Sequence, residues 1–197
     1  MRLFLLIAAV LIMSIIRADE DQTHVLAFVM TVDDVFILTV IDENGDNLQV
    51  IYTCDDICRD PKWSADGTRI GLVDGQTLII VDAATGEVET SISVDMGTYD
   101  YSARPDWTDD LSRVVYAARV DMVNRLRVVD TASGEVNELT EIGSASWPQW
   151  RSTDILIYVA GGRIYETNLD DTSEPTALTD ADTRYDLPIL APDATTI

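Results

Sequence analysis

Cys54 and Cys58 bring the most reactive chemistry in the chain, and they are its only two cysteines. As thiolates they could attack, exchange disulfides or hold a metal. Three residues separate them in Thr53-Cys54-Asp55-Asp56-Ile57-Cys58, where a dithiol redox pair is usually separated by two. A structural zinc takes four ligands, and the one histidine, His24, lies far upstream. In an oxidising compartment a close pair of this kind reads as a disulfide that staples a loop.

His24 is also the only base on which a Ser-His-Asp arrangement could draw. It opens an apolar, β-branched run, and no serine sits in a Gly-x-Ser-x-Gly elbow. Acid pairs recur at Asp33-Asp34, Asp55-Asp56, Asp109-Asp110 and Asp170-Asp171. All lie at turns, where aspartate is favoured because it bonds nearby backbone amides. Calcium is the sharper alternative for such oxygens. Its best loop, Asp42-Glu43-Asn44-Gly45-Asp46, is too short for a twelve-residue calcium loop. No glycine-rich phosphate loop is present, so we expect no catalytic residues, no metal and no cofactor. Trp63, Trp107 and Trp150 remain, either as an aromatic stripe for sugars or peptides or as core; Trp147 lies outside their register.

The elements that position these residues decide among the readings. Pro61-Lys62-Trp63-Ser64-Ala65-Asp66-Gly67 joins a short strand to a longer one through an Asp66-Gly67 turn. It recurs as Pro105-Asp106-Trp107 and Pro148-Gln149-Trp150, with 44 residues from Pro61 to Pro105 and 43 from Pro105 to Pro148. That period falls in the ~40–50 window of propeller blades. A second echo agrees with it: Asp82-Ala83-Ala84-Thr85-Gly86-Glu87 is matched by Asp130-Thr131-Ala132-Ser133-Gly134-Glu135. Short strands between Asp, Asn and Gly turns predict an all-β repeat. The first unit has strands His24–Met30, Val35–Ile41 and Leu48–Thr53, and no inner strand. The second has Pro61–Trp63, Arg69–Val73, Thr77–Val81 and Glu87–Ile92. The third has Ala103–Trp107, Arg113–Ala118, Arg125–Val129 and Glu135–Leu139, and the fourth Ser146–Trp150, Ile155–Val159, Arg163–Thr167 and Pro175–Leu178. Each proline is expected to begin its inner strand, where a missing amide donor is tolerable. Each tryptophan is expected to fill the stack between neighbouring blades.

A fifth unit begins at Leu187-Pro188-Ile189-Leu190, with Pro188 on Pro61 and Leu190 on Trp63. Either the repeat continues past Ile197, or this segment returns to give the first unit its inner strand and closes a ring of four. We favour the first, because Pro192 to Ile197 still carries the turn into another strand. The fold expected is therefore a β-propeller of four-stranded antiparallel blades, about four of them, in an incomplete ring.

The 197 residues include 13 Lys+Arg against 35 Asp+Glu, for a net charge of −22. Such a surface repels phosphate backbones, which need Lys and Arg to displace counterions, so nucleic acid is excluded as a partner and an anionic bilayer surface is disfavoured. Met1-Arg2 followed by the apolar run Leu3 to Ile16 has the form of a secretory signal peptide, too short for the ~20 residues of a spanning helix. We expect residues 1–18 to be that leader, or an uncleaved anchor and then the only membrane contact. Residues 19–197 are expected to form the exported propeller domain.

The motif Pro-x-Trp-Ser-x-Asp-Gly-x-x-Ile, carried by Pro61, Trp63, Ser64, Asp66, Gly67 and Ile70, resembles the WD40-like repeat of TolB-type β-propellers. The resemblance spans residues 24 to 197. It weakens in the third unit, where Asp109-Asp110-Leu111-Ser112 lacks the glycine, and in the fourth, where Arg151-Ser152-Thr153-Asp154 has lost the pattern. It implies periplasmic or extracellular placement and a binding role, and it supplies no catalytic residues; we expect a monomer whose partner is a protein or peptide. The alternative is the propeller portion of a larger enzyme, a propeller-gated serine peptidase or a glycan-processing enzyme.

Overall fold

A computed structural model describes residues 24–97, 104–139, 144–171 and 174–191. The leader, the segment holding Tyr99 and Tyr101, and Pro192 to Ile197 lie outside the described residues. Fifteen strands and no helix occur among those described. They are β1 (His24–Val32), β2 (Val35–Asp42), β3 (Gln49–Thr53), β4 (Cys58–Trp63), β5 (Arg69–Asp74), β6 (Thr77–Asp82), β7 (Val88–Ser93) and β8 (Asp106–Trp107). There follow β9 (Arg113–Val120), β10 (Val123–Asp130), β11 (Val136–Glu138), β12 (Ala145–Trp150), β13 (Ile155–Ala160), β14 (Arg163–Asn168) and β15 (Thr176–Ala177).

They form four antiparallel meanders: β1-β2-β3, β4-β5-β6-β7, β8-β9-β10-β11 and β12-β13-β14-β15. These are blades 1 to 4. Blade 1 has three strands, as the sequence predicts. The sheets follow one another in an arc that does not close into a ring.

The strands are apolar on both faces because each middle sheet is sandwiched between two others. In β6, Leu78 and Ile80 face blade 3, joining Trp107, Val114 and Tyr116; Ile79 and Val81 face blade 1, joining Leu38 and Val40. In β9, Val114 and Tyr116 turn toward blade 2, while Val115 faces Leu156 and Ala117 faces Tyr158 of blade 4. Period-two alternation thus divides each strand between two cores, and no blade has a core of its own.

The prolines differ from expectation. Pro61 lies inside β4 and Pro148 inside β12, each at a register shift, rather than at the strand's start. Asp60 and Trp147, the residues just before them, have φ of 53° and 54°. A bulge takes the proline out of the ladder, so the strand continues upstream without needing its amide. Upstream extension places Cys58 in β4 opposite Asp74. Pro105 instead precedes β8, which is shorter than the sequence reading. The hairpin between β1 and β2 is also tighter than read: Val32 belongs to β1, and Asp33-Asp34, with φ of 50° and 65°, form the two-residue turn. Asp121-Met122 does the same between β9 and β10.

Residues 187–191 are not paired with β1. They lie against blade 4, where Leu190 N donates to Gln149 Oε1 at 3.2 Å and Gln149 Nε2 donates to Pro188 O.

Candidate functional site

The repeated polar residues of the blade starts are tied into one turn network. Ser64 Oγ donates to Asp66 Oδ1 at 2.6 Å, and the amide and hydroxyl of Thr68 donate to the same oxygen at 3.0 and 2.8 Å. Arg69 N donates to Ser64 Oγ at 3.0 Å. Thr108, Asp110, Ser112 and Arg113 repeat every one of these bonds in blade 3. Leu111 takes the place of Gly67 and adopts φ of 59°, against 71° for the glycine. The side chain compensates for this backbone by burying itself in the core between blades 2 and 3. The motif that looks degraded in sequence is intact in geometry.

These bonds set the charges. The Ser64 hydroxyl, with the amide and hydroxyl of Thr68, holds the Asp66 carboxyl down at about 2. The Thr85 hydroxyl lowers Asp82, and the Ser133 amide and hydroxyl lower Asp130. For Asp110, burial pushes upward, but donation from Ser112 and Thr108 outweighs it and the carboxyl is lowered. Between the ordinary carboxylate value of ~3.9 and these lowered values the unfolded chain binds more protons, so stability rises with pH there. Unfolding by urea is expected to need less denaturant as the pH falls from about 4 toward about 2, and Asp66→Asn should flatten that dependence.

The calcium candidate is used in the same way. Asp42 Oδ1 accepts from Asn44 N at 3.1 Å and Asp46 N at 2.8 Å, and Oδ2 accepts from Asn47 Nδ2 at 2.9 Å. Asp42 is the first-blade counterpart of Asp82 and Asp130.

Neighbouring blades are joined by contacts that recur with the repeat. Arg69 Nη2 donates to Asp110 O at 3.0 Å, and Arg113, one repeat later, donates to Thr153 O at 3.1 Å and pairs with Asp154 at 2.8 Å. On the inner strands, Asp106 Oδ2 accepts from Trp150 N at 2.8 Å, and Trp150 Nε1 donates to Asp106 O at 3.1 Å. Burial raises the Asp106 carboxyl, against the pull of the Trp150 amide and Lys62. Arg104 pairs with Asp60 at 2.7 Å, and Lys62 reaches Asp109 at 3.5 Å. Of the charged groups on and just before these inner strands, Lys62 and Arg104 stay the more open, with 40% and 53% of their side chains exposed, while Asp60 keeps 10%.

The tryptophans are shared between blades. Trp107 is buried between blades 2 and 3; Trp63 packs into the core between blades 1 and 2, and Trp150 into that between blades 3 and 4. Trp147, half-buried, stands at the bulge before Pro148.

Cys54 and Cys58 form a disulfide with Cα atoms 6.0 Å apart. The loop they close is anchored from below by Asp74, which accepts from Tyr52 Oη at 3.0 Å and from the amides of Asp55 and Asp56 at 2.8 Å each. Cys54, Cys58 and Asp74 are the one group of metal-type ligands close enough to share an ion among the described residues, and the disulfide occupies both sulfurs. Reduction is expected to destabilise the fold by about 2 kcal/mol, the loop-entropy figure for so short a loop. That is about 4–8 °C in melting temperature at this chain length, read by thermal denaturation with and without reductant. Of all these residues, sequence reading missed Asp74, whose only signal was an aspartate closing an apolar strand.

No protein-family profile matches the sequence, and no curated protein matches it. Solved structures do. Over 81% of this chain and 42% of its own, TolB from Acinetobacter baumannii superimposes with a TM-score of 0.59 at 17% identity. The fold is a TolB-like, WD40-like β-propeller. An oligogalacturonate lyase, solved in complex with manganese, matches with a TM-score of 0.61 at 18% identity over 78% of this chain and 49% of its own. The C-terminal WD40 domain of Sif2 matches at 0.54 and 18% over 78% of this chain and 44% of its own. The TolB-like chain thus spans about half the length of the structures it matches.

Proposed function

We propose that this chain is an exported, non-catalytic propeller module that binds a protein or peptide across its inner face. The observation that carries the reading is the commitment of its repeated polar groups. Ser64, Thr108, Asp66, Asp110, Asp82 and Asp130 are each engaged in turn-forming hydrogen bonds. Groups held that way build a scaffold and are not poised as nucleophile and base. Lys62 and Arg104, with 40% and 53% of their side chains exposed, offer instead polar groups of the kind that orients a peptide at an interface rim. Export is inferred from the leader of residues 1–18 and fits the disulfide.

Peptide-display selection on the immobilised chain is expected to enrich ligands that bind at micromolar strength. Lys62→Glu should weaken them about tenfold, or about 1.4 kcal/mol. The similarity to an oligogalacturonate lyase favours a second reading, the propeller part of a glycan-processing enzyme. Cleavage of oligogalacturonate by the purified chain, or stoichiometric labelling by a serine-directed phosphonate, would replace the first reading with an enzymatic one.

A further inference from the structure

The strand register sets Cys58 of β4 directly opposite Asp74 of β5, so both side chains leave the same face of blade 2. Cys54 follows the end of β3. Its sulfur, that of Cys58 and a carboxylate oxygen of Asp74 lie within 4.8 Å of one another. The three residues are 8%, 4% and 5% exposed. Asp74 is thus a buried acid, and it makes no ion pair among the described residues. Hydroxyl and amide donors alone offset its charge.

None of these positions depends on the sulfur–sulfur bond. Cys58 stands in the ladder of β4 with β5, and Asp74 is held in addition by β6. Cys54 N donates to Phe36 O at 3.0 Å, and Gly75 N donates to Ile57 O at 3.1 Å. Asp74 Oδ2 accepts from Tyr52 Oη and Asp55 N, while Oδ1 accepts one bond, from Asp56 N, and keeps a lone pair. Outer hydrogen bonds of this kind orient a carboxylate ligand. Reduction therefore leaves two thiols and a fixed carboxylate converging on one point.

Tetrahedral zinc, with bonds of ~2.3 Å to sulfur and ~2.1 Å to oxygen, sets its ligand atoms about 3.6–3.8 Å apart. That geometry fits within the 4.8 Å spread of the three groups. Two thiolates select a soft or borderline ion over calcium or magnesium. Three protein ligands leave a fourth position for water, the pattern of zinc sites that stay open. A cavity of about 400 Å³, lined by Tyr52, Asp55, Asp56 and Asp74, reaches the carboxylate, and its acids draw cations inward.

We propose that reduction of the Cys54–Cys58 disulfide turns this corner of blade 2 into a zinc site, with Cys54 Sγ, Cys58 Sγ and Asp74 Oδ1 as ligands. A phosphine reductant takes up the oxygen of one water; its electron pair and the two protons of that water leave two protein thiols. Zinc then displaces both thiol protons. The metal holds in the reduced chain the loop that the disulfide holds in the oxidised one. A disulfide oxidant, itself reduced to two thiols as it takes up two protons, restores the protein disulfide and releases the zinc. The inference rests on the joint of blades 1 and 2 and not on the binding role.

The purified full chain, reduced with a phosphine, is expected to bind one cobalt ion, the spectroscopic stand-in for zinc. Binding should give a thiolate-to-cobalt charge-transfer band and the strong visible absorption of a tetrahedral site, both abolished by an equivalent of zinc. The oxidised chain should give neither. X-ray absorption of the zinc form should count two sulfur and two oxygen neighbours. Cys54→Ser and Asp74→Asn should each weaken cobalt binding at least tenfold. Cys54→Ser leaves the Asp74 hydrogen bonds in place, and Asp74→Asn keeps one oxygen for the loop amides, so β-sheet circular dichroism should persist in both. A reduced chain without the charge-transfer band, a metal with four sulfur neighbours, or an affinity indifferent to Asp74→Asn would each overturn the proposal.

Discussion

Truncating Trp107 to alanine is expected to lower stability by about 3–5 kcal/mol, the usual range for a buried aromatic. Trp107 is 2% exposed and packs against Val73, Leu78 and Ile80 of the preceding blade as well as Leu111 and Val114 of its own. Its removal therefore opens a cavity at a joint between two sheets, neither of which has a core of its own. The ring also defines a requirement at Gly71. A Cβ there would stand 2.9 Å from Trp107 Cε3, so Gly71→Ala must displace the ring and is expected to cost about 1–3 kcal/mol by overpacking. Because the added methyl occupies space that the ring vacates, the double variant should be more stable than the sum of the two losses implies. A coupling of about 0.5–3 kcal/mol is expected, as for residues in contact. Urea unfolding followed by far-ultraviolet circular dichroism reads all four proteins of the cycle. Additive losses would show that Trp107 and Gly71 act independently.

Trp107 also shows what the sequence makes legible. Its place in a 44-residue repeat marks it as core, and the same spacing locates four sheets and the missing inner strand of blade 1. The repeat does not show that the disulfide loop runs into the next blade, where Cys58 opens β4. Legibility ends where one geometry is reached by different residues. Leu111 stands in the left-handed conformation that Gly67 adopts freely, because burying its side chain offsets a backbone cost of about 1–2 kcal/mol. Spelling alone then suggests a lost turn. Asp60 and Trp147 share one backbone conformation with no residue type in common, so the bulges that carry Pro61 and Pro148 leave no pattern in the sequence. Gly71 has no legible role in the sequence, and its requirement appears only with Trp107 of the next blade lying on it. The inner-face cluster was invisible for a related reason: Asp60 and Arg104, or Asp106 and Trp150, are neighbours only across a full repeat.

Asp74 is the residue whose loss should matter most outside the stacked core, and it controls an observable besides stability. It is 5% exposed, and its carboxylate satisfies the Tyr52 hydroxyl and the amides of Asp55 and Asp56. Asp74→Ala strands these donors. At about 1–3 kcal/mol for each buried group left unpaired, and with the two loop amides able to reach water, a loss of about 3 kcal/mol is expected. The same change should be visible in the tyrosine titration. Burial first, and then the hydrogen bond and charge of Asp74, push the Tyr52 phenol up to about 12. The folded state therefore holds that proton longer than the unfolded chain does. The associated stability is present below the ordinary value of ~10 and is lost as the pH rises through about 12. Removing Asp74 should bring the Tyr52 transition part of the way back, since burial persists, whereas a residue acting by packing alone would leave it unmoved. The disulfide and Asp74 restrain the same five residues, Cys54 to Cys58, so their effects should not add. With Asp74 in place, reduction leaves the Asp55 and Asp56 amides still anchored; in Asp74→Ala, reduction leaves the loop held only by backbone bonds near its ends, Cys54 N to Phe36 O and Gly75 N to Ile57 O. Reductant should therefore lower the melting temperature of the variant by more than it lowers that of the parent. Equal shifts would mean that carboxylate and disulfide hold different parts of the structure.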